Sequence, residues 1–475
     1  MHESLSRYGS GRSGEAGRPG GRFLHLLAGG VLCAAWLVGA VVPASAQQPG
    51  RARQVRLSLE SAVRRATTLN EVVLMARAEQ ARAEGIATET RADALPEVTA
   101  NVNYTRNVQR PVLFFNTPNG VQQISIGDDN DYTFGLSLKQ PLLDFSLGPA
   151  RKAAGLSRRA SSAQVESARV AAALQARLDY YTVLLDRALV RVQEQALEQA
   201  AARLKEVEAM NRAGTAADFD LLTAQVEVEN IRPQLIEARN RLELDGNRLK
   251  RTVNLPIATE LVLTDSLERP PPPAPERAEA ESVAMRAAVK HAMEHRADLE
   301  AQELVVDLQS QNLSAQRSDA LPSFDLLASL SRRGSSSQFF PSEEDFSQSL
   351  TAGLQVSIPL FDGRARAGRV QQARAALDRE RYRLRQLSGD VQLEVQQARQ
   401  ALGAARAQAE ASESNVRRAE RALKIAQTRF RNGLSTQVEL NDSELAVTRA
   451  RTNYAQALFN YNVAQARLVA AMGER

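Results

Sequence analysis

The segment Arg91-Ala-Asp-Ala-Leu-Pro96 returns 226 residues later as Arg317-Ser-Asp-Ala-Leu-Pro322. Ala62-Val63 and Ala288-Val289 keep the same spacing. Gly135-Leu136 and Pro141-Leu142 are matched by Gly353-Leu354 and Pro359-Leu360 at a spacing of 218, and Asn211-Arg-Ala-Gly214 by Arg431-Asn-Gly433 at 219. The chain is therefore a duplication, with a first copy over 47–268 and a second over 279–475. The stretch 269–278 between them carries Arg269-Pro-Pro-Pro-Pro-Ala-Pro275, a stiff spacer. Duplication restricts the fold, because both copies must share one order of elements and bury their apolar faces together.

Each copy reads as short helix, helix, strand, loop, strand, very long helix, turn, helix. The strands fall at about 96–107, 131–141, 322–333 and 348–359, where apolar and polar residues alternate with period two. Val98, Ala100, Val102 and Tyr104 face away from Thr99, Asn101, Asn103 and Thr105. Leu350, Ala352, Leu354, Val356 and Ile358 do the same against their polar neighbours. Such a pattern suits either a soluble sandwich or strands of about 10 residues crossing a membrane at a tilt. On the membrane reading, Leu136, Leu354 and Val356 face lipid while Ser137 and Gln355 face a lumen. Four strands cannot close a membrane barrel, so several chains must share one wall. Two chains give eight strands, filled by side chains; three give twelve and leave a pore. The helical stretches, about 146–250 and 363–473, each read as a hairpin. Leu174, Leu178, Tyr181, Leu185, Ala188 and Val192 make one heptad-like seam, and Leu384, Leu387, Val391, Val395, Ala398 and Leu402 another.

Residues 1–46 read as a secretory signal. Arg7, Arg12, Arg18 and Arg22 precede an apolar run, Phe23 to Val42, and Ala44-Ser45-Ala46 supplies a small-residue cleavage site. The run is also long enough for an uncleaved anchor. It holds Cys33, the one cysteine, so cleavage leaves a chain without disulfide or thiol chemistry. With 60 Lys and Arg against 55 Asp and Glu, spread in both signs, no nucleic-acid partner is indicated. His291 and His295 stand at i, i+4, a spacing that can hold a metal, but no third ligand is in view and solvation is the default. No phosphate loop and no nucleophile elbow occurs. Neither catalysis nor a cofactor nor a metal is expected, and a structural coiled-coil protein of the cell envelope is the alternative to a channel.

The duplicated pattern, the Ala-Leu-Pro exits into strands, the Pro-Leu-Phe-Asp362 exit into a long helix and the Phe430-Arg-Asn-Gly433 turn resemble the TolC family of outer-membrane efflux proteins. That resemblance covers about Leu57 to Gly473. It implies a mainly α fold with a β-barrel contribution: a homotrimer whose four strands per chain complete a twelve-stranded barrel in outer-membrane lipid, above a long α-helical barrel in the periplasm. It further implies the passive exit duct of a tripartite efflux pump or type I secretion system. The partners would be a periplasmic adaptor and an inner-membrane transporter of the RND, ABC or MFS class. By resemblance, the turns Ala213-Gly214-Thr215 and Asn432-Gly433-Leu434-Ser435 dock the adaptor, and Glu439, Asp442 and Asp220 ring a periplasmic gate. Where the family can carry a locking Arg two residues after the tip glycine, this chain has Ser435, with Arg431 or Arg212 as substitutes.

Overall fold

The computed structural model describes residues 54–118, 120–271 and 278–475. The signal-like segment 1–46 and most of the Pro-rich spacer lie outside the described residues. In chain order the elements are β1 (Gln54–Leu57), α1 (Leu59–Leu69), α2 (Glu71–Ala92), β2 (Glu97–Arg106), β3 (Val112–Thr117), β4 (Gly120–Ser125), β5 (Asn130–Leu143), α3 (Leu147–Arg212) and α4 (Asp218–Thr252). They continue with β6 (Glu260–Leu263), α5 (Ala278–His295), α6 (Ala297–Ser318), β7 (Ser323–Ser336), β8 (Phe346–Ser357), α7 (Ala365–Arg431) and α8 (Gln437–Ala471). The four expected strands are present within a few residues of their expected limits. The loop expected between the first two holds an additional hairpin, β3–β4. A short parallel pair, β1 with β6, was also not foreseen.

One antiparallel sheet carries the order β2-β5-β7-β8, so the two copies meet at β5–β7. Its register keeps the alternation in phase across all four strands. Ala100, Leu136, Leu330 and Leu350 form one row, and the next row on the opposite face is Thr99, Ser137, Ser329 and Thr351. That second row is hydroxyl throughout: Thr99 and Ser137 share a hydrogen bond of 2.5 Å, Ser329 and Thr351 one of 2.8 Å. A one-residue slip at any strand would mix the two faces. The apolar face is open to its surroundings, with Leu350 75% and Leu354 72% exposed, and Tyr104, Tyr132, Phe134 and Phe346 gather at its outer end. Rings of this kind mark the border of a lipid-facing band about 25 Å tall. At Gly334 a Cβ would lie 2.5 Å from the Phe346 ring, so the ring covers the bare backbone of its cross-strand partner.

The helices leave the other end of the sheet. α3 has 66 residues and α7 has 67, about 100 Å each at 1.5 Å per residue. The α7 seam lies where the heptad reading put it, with Val391 and Val395 almost fully buried beside Leu384 and Leu387. On α3 the burial departs from the expected stripe. Ala173, Ala176, Tyr180, Val183 and Val190 are buried as well as Tyr181 and Leu185, because α1, α2, α4, α6 and α8 all pack on this helix. A helix enclosed from several sides shows no single apolar stripe.

Midway along the helices, Tyr180 is fully buried and donates its hydroxyl to the Leu57 carbonyl (3.0 Å) and to Asp265 Oδ2 (2.8 Å). Asp265 Oδ2 also accepts from the Leu59 N–H at 2.7 Å, and Arg187 donates to the carbonyls of Leu263 and Asp265. The strands β1 and β6 are thereby fixed against α3. The second copy uses Arg296, which reaches Asp298, Glu394 and the Ala471 carbonyl and so ties the α5–α6 turn to the C-terminal end of α8.

If the leucine row faces lipid, Leu136→Arg should destabilise the folded, membrane-inserted protein by about 2–4 kcal/mol, whereas Ser137→Arg should be tolerated. Urea unfolding in lipid vesicles reads the difference. Equal costs at both positions would show that the two faces are assigned wrongly.

Candidate functional site

The far ends of the helical hairpins are built alike. Gly214 and Gly433 have φ of +77° and +67°, a left-handed backbone that glycine adopts at little cost. The Thr215 N–H bonds the Met210 carbonyl (2.9 Å) and the Gly214 N–H the Asn211 carbonyl (2.9 Å). The Leu434 and Gly433 amides repeat this on Arg429 and Phe430 at 2.8 and 2.9 Å. Each turn is thus a Schellman stop followed within four residues by a new helix. Ala213, Gly214, Thr215, Asn432, Gly433 and Leu434 are exposed, and Ser435 is half-buried.

The acidic residues singled out from the sequence sit just inside the return helices. Asp220 accepts from the Ala217 N–H at 3.3 Å, and the Glu439 N–H donates to the Thr436 hydroxyl at 3.3 Å. Asp220 and Glu439 therefore hold the same third position of α4 and α8, where a carboxylate also favours the helix dipole. Gln437 Nε2 donates to the Asp220 carbonyl at 3.4 Å, bringing the two turns side by side. Asp442 lies exposed about one turn further along α8. Ser435 donates its hydroxyl to Glu439 at 2.6 Å, and Arg212 bends back to the Glu208 carbonyl of its own helix. Arg429, not Arg431, reaches across a turn, to the Leu434 carbonyl at 3.1 Å.

A charged cluster missed in the sequence lies above the turns. Arg203 on α3 and Glu444 on α8 are both 7% exposed and pair at 3.3 Å; Glu206 stands 3.5 Å from Arg203, and the Phe430 ring lies 5.0 Å from the guanidinium carbon. Burial raises the Glu444 carboxyl although Arg203 pulls it down, and burial likewise raises Glu227 on α4. The sequence did hold a signal. Arg203 precedes Gly214 by as many residues as Glu444 follows Gly433, so both stand at one height, about 16 Å from the bends.

His291 and His295 stack with ring centroids 4.1 Å apart, and His291 Nε2 lies 3.1 Å from Glu474 Oε1. Among the described residues no group of three or more His, Cys, Asp or Glu side chains could hold a metal ion, and no helix is long and apolar enough to cross a membrane.

Residues 62–255 and 288–474, one match on each copy, fit the family model described as outer membrane efflux protein. The chain belongs to the outer membrane efflux protein family. Its fold is similar to that of the CmeC outer membrane channel of Campylobacter jejuni, with a TM-score of 0.73 at 16% identity over 87% of this chain and 85% of that one. VceC of Vibrio cholerae gives 0.69 at 18% identity over 88% and 96%. The open state of the Neisseria gonorrhoeae MtrE channel gives 0.69 at 17% over 88% and 89%. Protein CyaE of Bordetella pertussis is 31% identical over 201 residues, which span 42% of this chain and 40% of that protein. The duplicated fold with its open-edged sheet is thus similar to that of outer-membrane channels.

The ion cluster has a pH signature. A carboxyl whose folded pKa is raised destabilises the fold above that pKa, and the penalty fades as pH falls toward the ordinary value near 4.5. Glu227→Gln should therefore raise stability at pH 8 and change little at pH 4.5. Arg203→Met should cost about 3 kcal/mol at pH 8, since it leaves buried carboxylates without a counter-charge. Thermal unfolding of both variants across that pH range checks the two signs.

Proposed function

We propose that this chain forms a homotrimeric duct through which an inner-membrane transporter, joined by a periplasmic adaptor, exports its cargo. The observation that carries the reading is the sheet β2-β5-β7-β8, apolar on one face, hydroxyl-lined on the other, and unpaired at both edges. Backbone groups left open in lipid are too costly to persist, so the free edge of β2 pairs with β8 of a neighbouring copy. Three copies close twelve strands around a water-filled lumen. The hydroxyl rows line it, and the hairpins α3–α4 and α7–α8 extend it into the periplasm. The duct is passive on this reading, and its energy comes from the transporter, of the RND, ABC or MFS class.

At the far end, Glu439 and Asp442 from three copies ring the periplasmic mouth, with Asp220 beside them. Their field attracts cations and lets polyvalent cations plug the opening. The turns carrying Gly214 and Gly433 present Thr215, Leu434 and Ser435 to the adaptor. Two measurements test this. In planar bilayers, Glu439→Gln with Asp442→Asn should lower cation selectivity and weaken block by trivalent cations; unchanged values would leave both residues as helix caps only. In cells, Leu434→Glu should abolish export while trimer and membrane insertion stay intact. A protein that forms filaments without conductance would favour a structural coiled coil instead.

A further inference from the structure

Where the sheet ends and the helices begin, a cavity of about 510 Å³ opens between the end of α6 and the β8–α7 junction. Three of its lining residues are Arg317, Arg364 and Arg366, none of which has an ion pair or side-chain hydrogen bond among the described residues. The one carboxylate in the lining, Asp362, is already engaged. It accepts from the Arg366 N–H at 2.7 Å, capping α7, and lies 3.9 Å from Arg369. The cavity is thus an uncompensated cationic site. Its other wall is apolar. Leu360 and Phe361, 89% and 87% exposed, stand just past the end of the β8 column of Leu350, Leu354 and Val356.

These features fall at one level of the molecule. The column belongs to the lipid-facing side, and the arginines stand just beyond its inner end, at the depth of the periplasmic-leaflet headgroups. Guanidinium groups match phosphate oxygens in pairs, and cations next to an apolar, aromatic border are the usual complement of an anionic lipid surface. Arg364 adds a second argument. It adopts a left-handed backbone, φ +72°, which a residue with a Cβ takes up only at a cost that glycine escapes. The position retains a cation where backbone geometry favours none.

We infer that this cavity is a binding site for the headgroup of an anionic phospholipid of the periplasmic leaflet. The phosphate lies among Arg317, Arg364 and Arg366, and one acyl chain runs along Leu360 and the column above it. The site rests on the membrane-channel reading, because only that reading sets the cavity at headgroup depth.

Native mass spectrometry of the purified full-length protein tests it, with phosphatidylglycerol and phosphatidylcholine added in turn. Wild-type protein should retain phosphatidylglycerol over phosphatidylcholine by about tenfold, and Arg317→Gln with Arg364→Gly should bring that ratio below about twofold. Arg364→Gly relaxes the backbone, so loss of lipid cannot be put down to misfolding there; thermal unfolding of the variant verifies this. Equal retention of both lipids by the wild type, or an unchanged ratio in the variant, would overturn the site. Displacement of phosphatidylglycerol by millimolar inorganic phosphate would overturn the lipid assignment in favour of a free-oxyanion site. Single-channel recording of the same preparation separates the two levels. A conducting trimer without lipid preference removes only this inference, whereas a protein that neither trimerises nor conducts removes the channel reading beneath it.

Discussion

A peptide N–H or C=O without a partner is tolerable in water and costs several kcal/mol in hydrocarbon. The sheet of this chain has two such rows, along the outer edges of β2 and β8, next to a face that is mostly apolar from Tyr104 to Val356, broken by Arg332 and Gln348. The apolar face draws the sheet into the bilayer and the edges forbid it to stay there alone. On the proposed reading, neighbouring copies complete the wall, and that assembly sets the symmetry the rest of the molecule follows. The hydroxyl row Thr99, Ser137, Ser329 and Thr351 then acquires its meaning, because closure turns one side of the sheet into the inside of a pore.

The helical part solves a different problem, that of keeping two hairpins about 100 Å long in register without a large core. The buried apolar residue is most often alanine, which lets helices approach closely but gives each layer little grip. The structure compensates with a few polar knots set at intervals. Tyr180, Asp265 and Arg187 clamp β1 and β6 to α3, and Arg296 joins α5 and α6 to the end of α8. Nearer the bends, Arg203 and Glu444 bridge the two hairpins. A buried pair of that kind adds little net stability but strongly penalises sliding, since any shift strands a charge. Asp186 on α3 belongs to the same economy of charge. Burial and the nearby Asp245 push its carboxyl up to about 6, so the α3–α4 hairpin grows firmer as the medium turns mildly acidic.

Much of this was legible in the residues. The duplication, the four long strands and both hairpins follow from period-two alternation, tip glycines and proline-free runs, all local signals. What escaped was non-local or short. β1 and β6 have four residues each and meet across some two hundred, too little pattern for a strand to be read from composition. The hairpin β3–β4 carries strand-like Val112 to Phe115 and Val121 to Ile124, but Pro111 and the turn at Pro118 gave it the look of a loop. The glycines mark both turns in the sequence, whereas the contacts around them are only partly readable there. Ser435 bonding Glu439 follows from their spacing of four on a helix start, whereas Arg203 beside Glu444 depends on how one hairpin lies on the other.

The central pairing of the sheet, β5 with β7, joins residues such as Leu136 and Leu330. All of α3, α4, α5 and α6 must be delivered between them, and the outer edges of β2 and β8 pair with no described part of their own chain. Folding rates fall as contacting residues lie further apart along the chain, and unpaired strands are prone to wrong partners while they wait. Until the second copy is made, β2 and β5 can form a hairpin whose β5 edge still lacks β7. In a chain of this design, the time taken to make and place the intervening helices is also the time for which that edge is open to wrong partners.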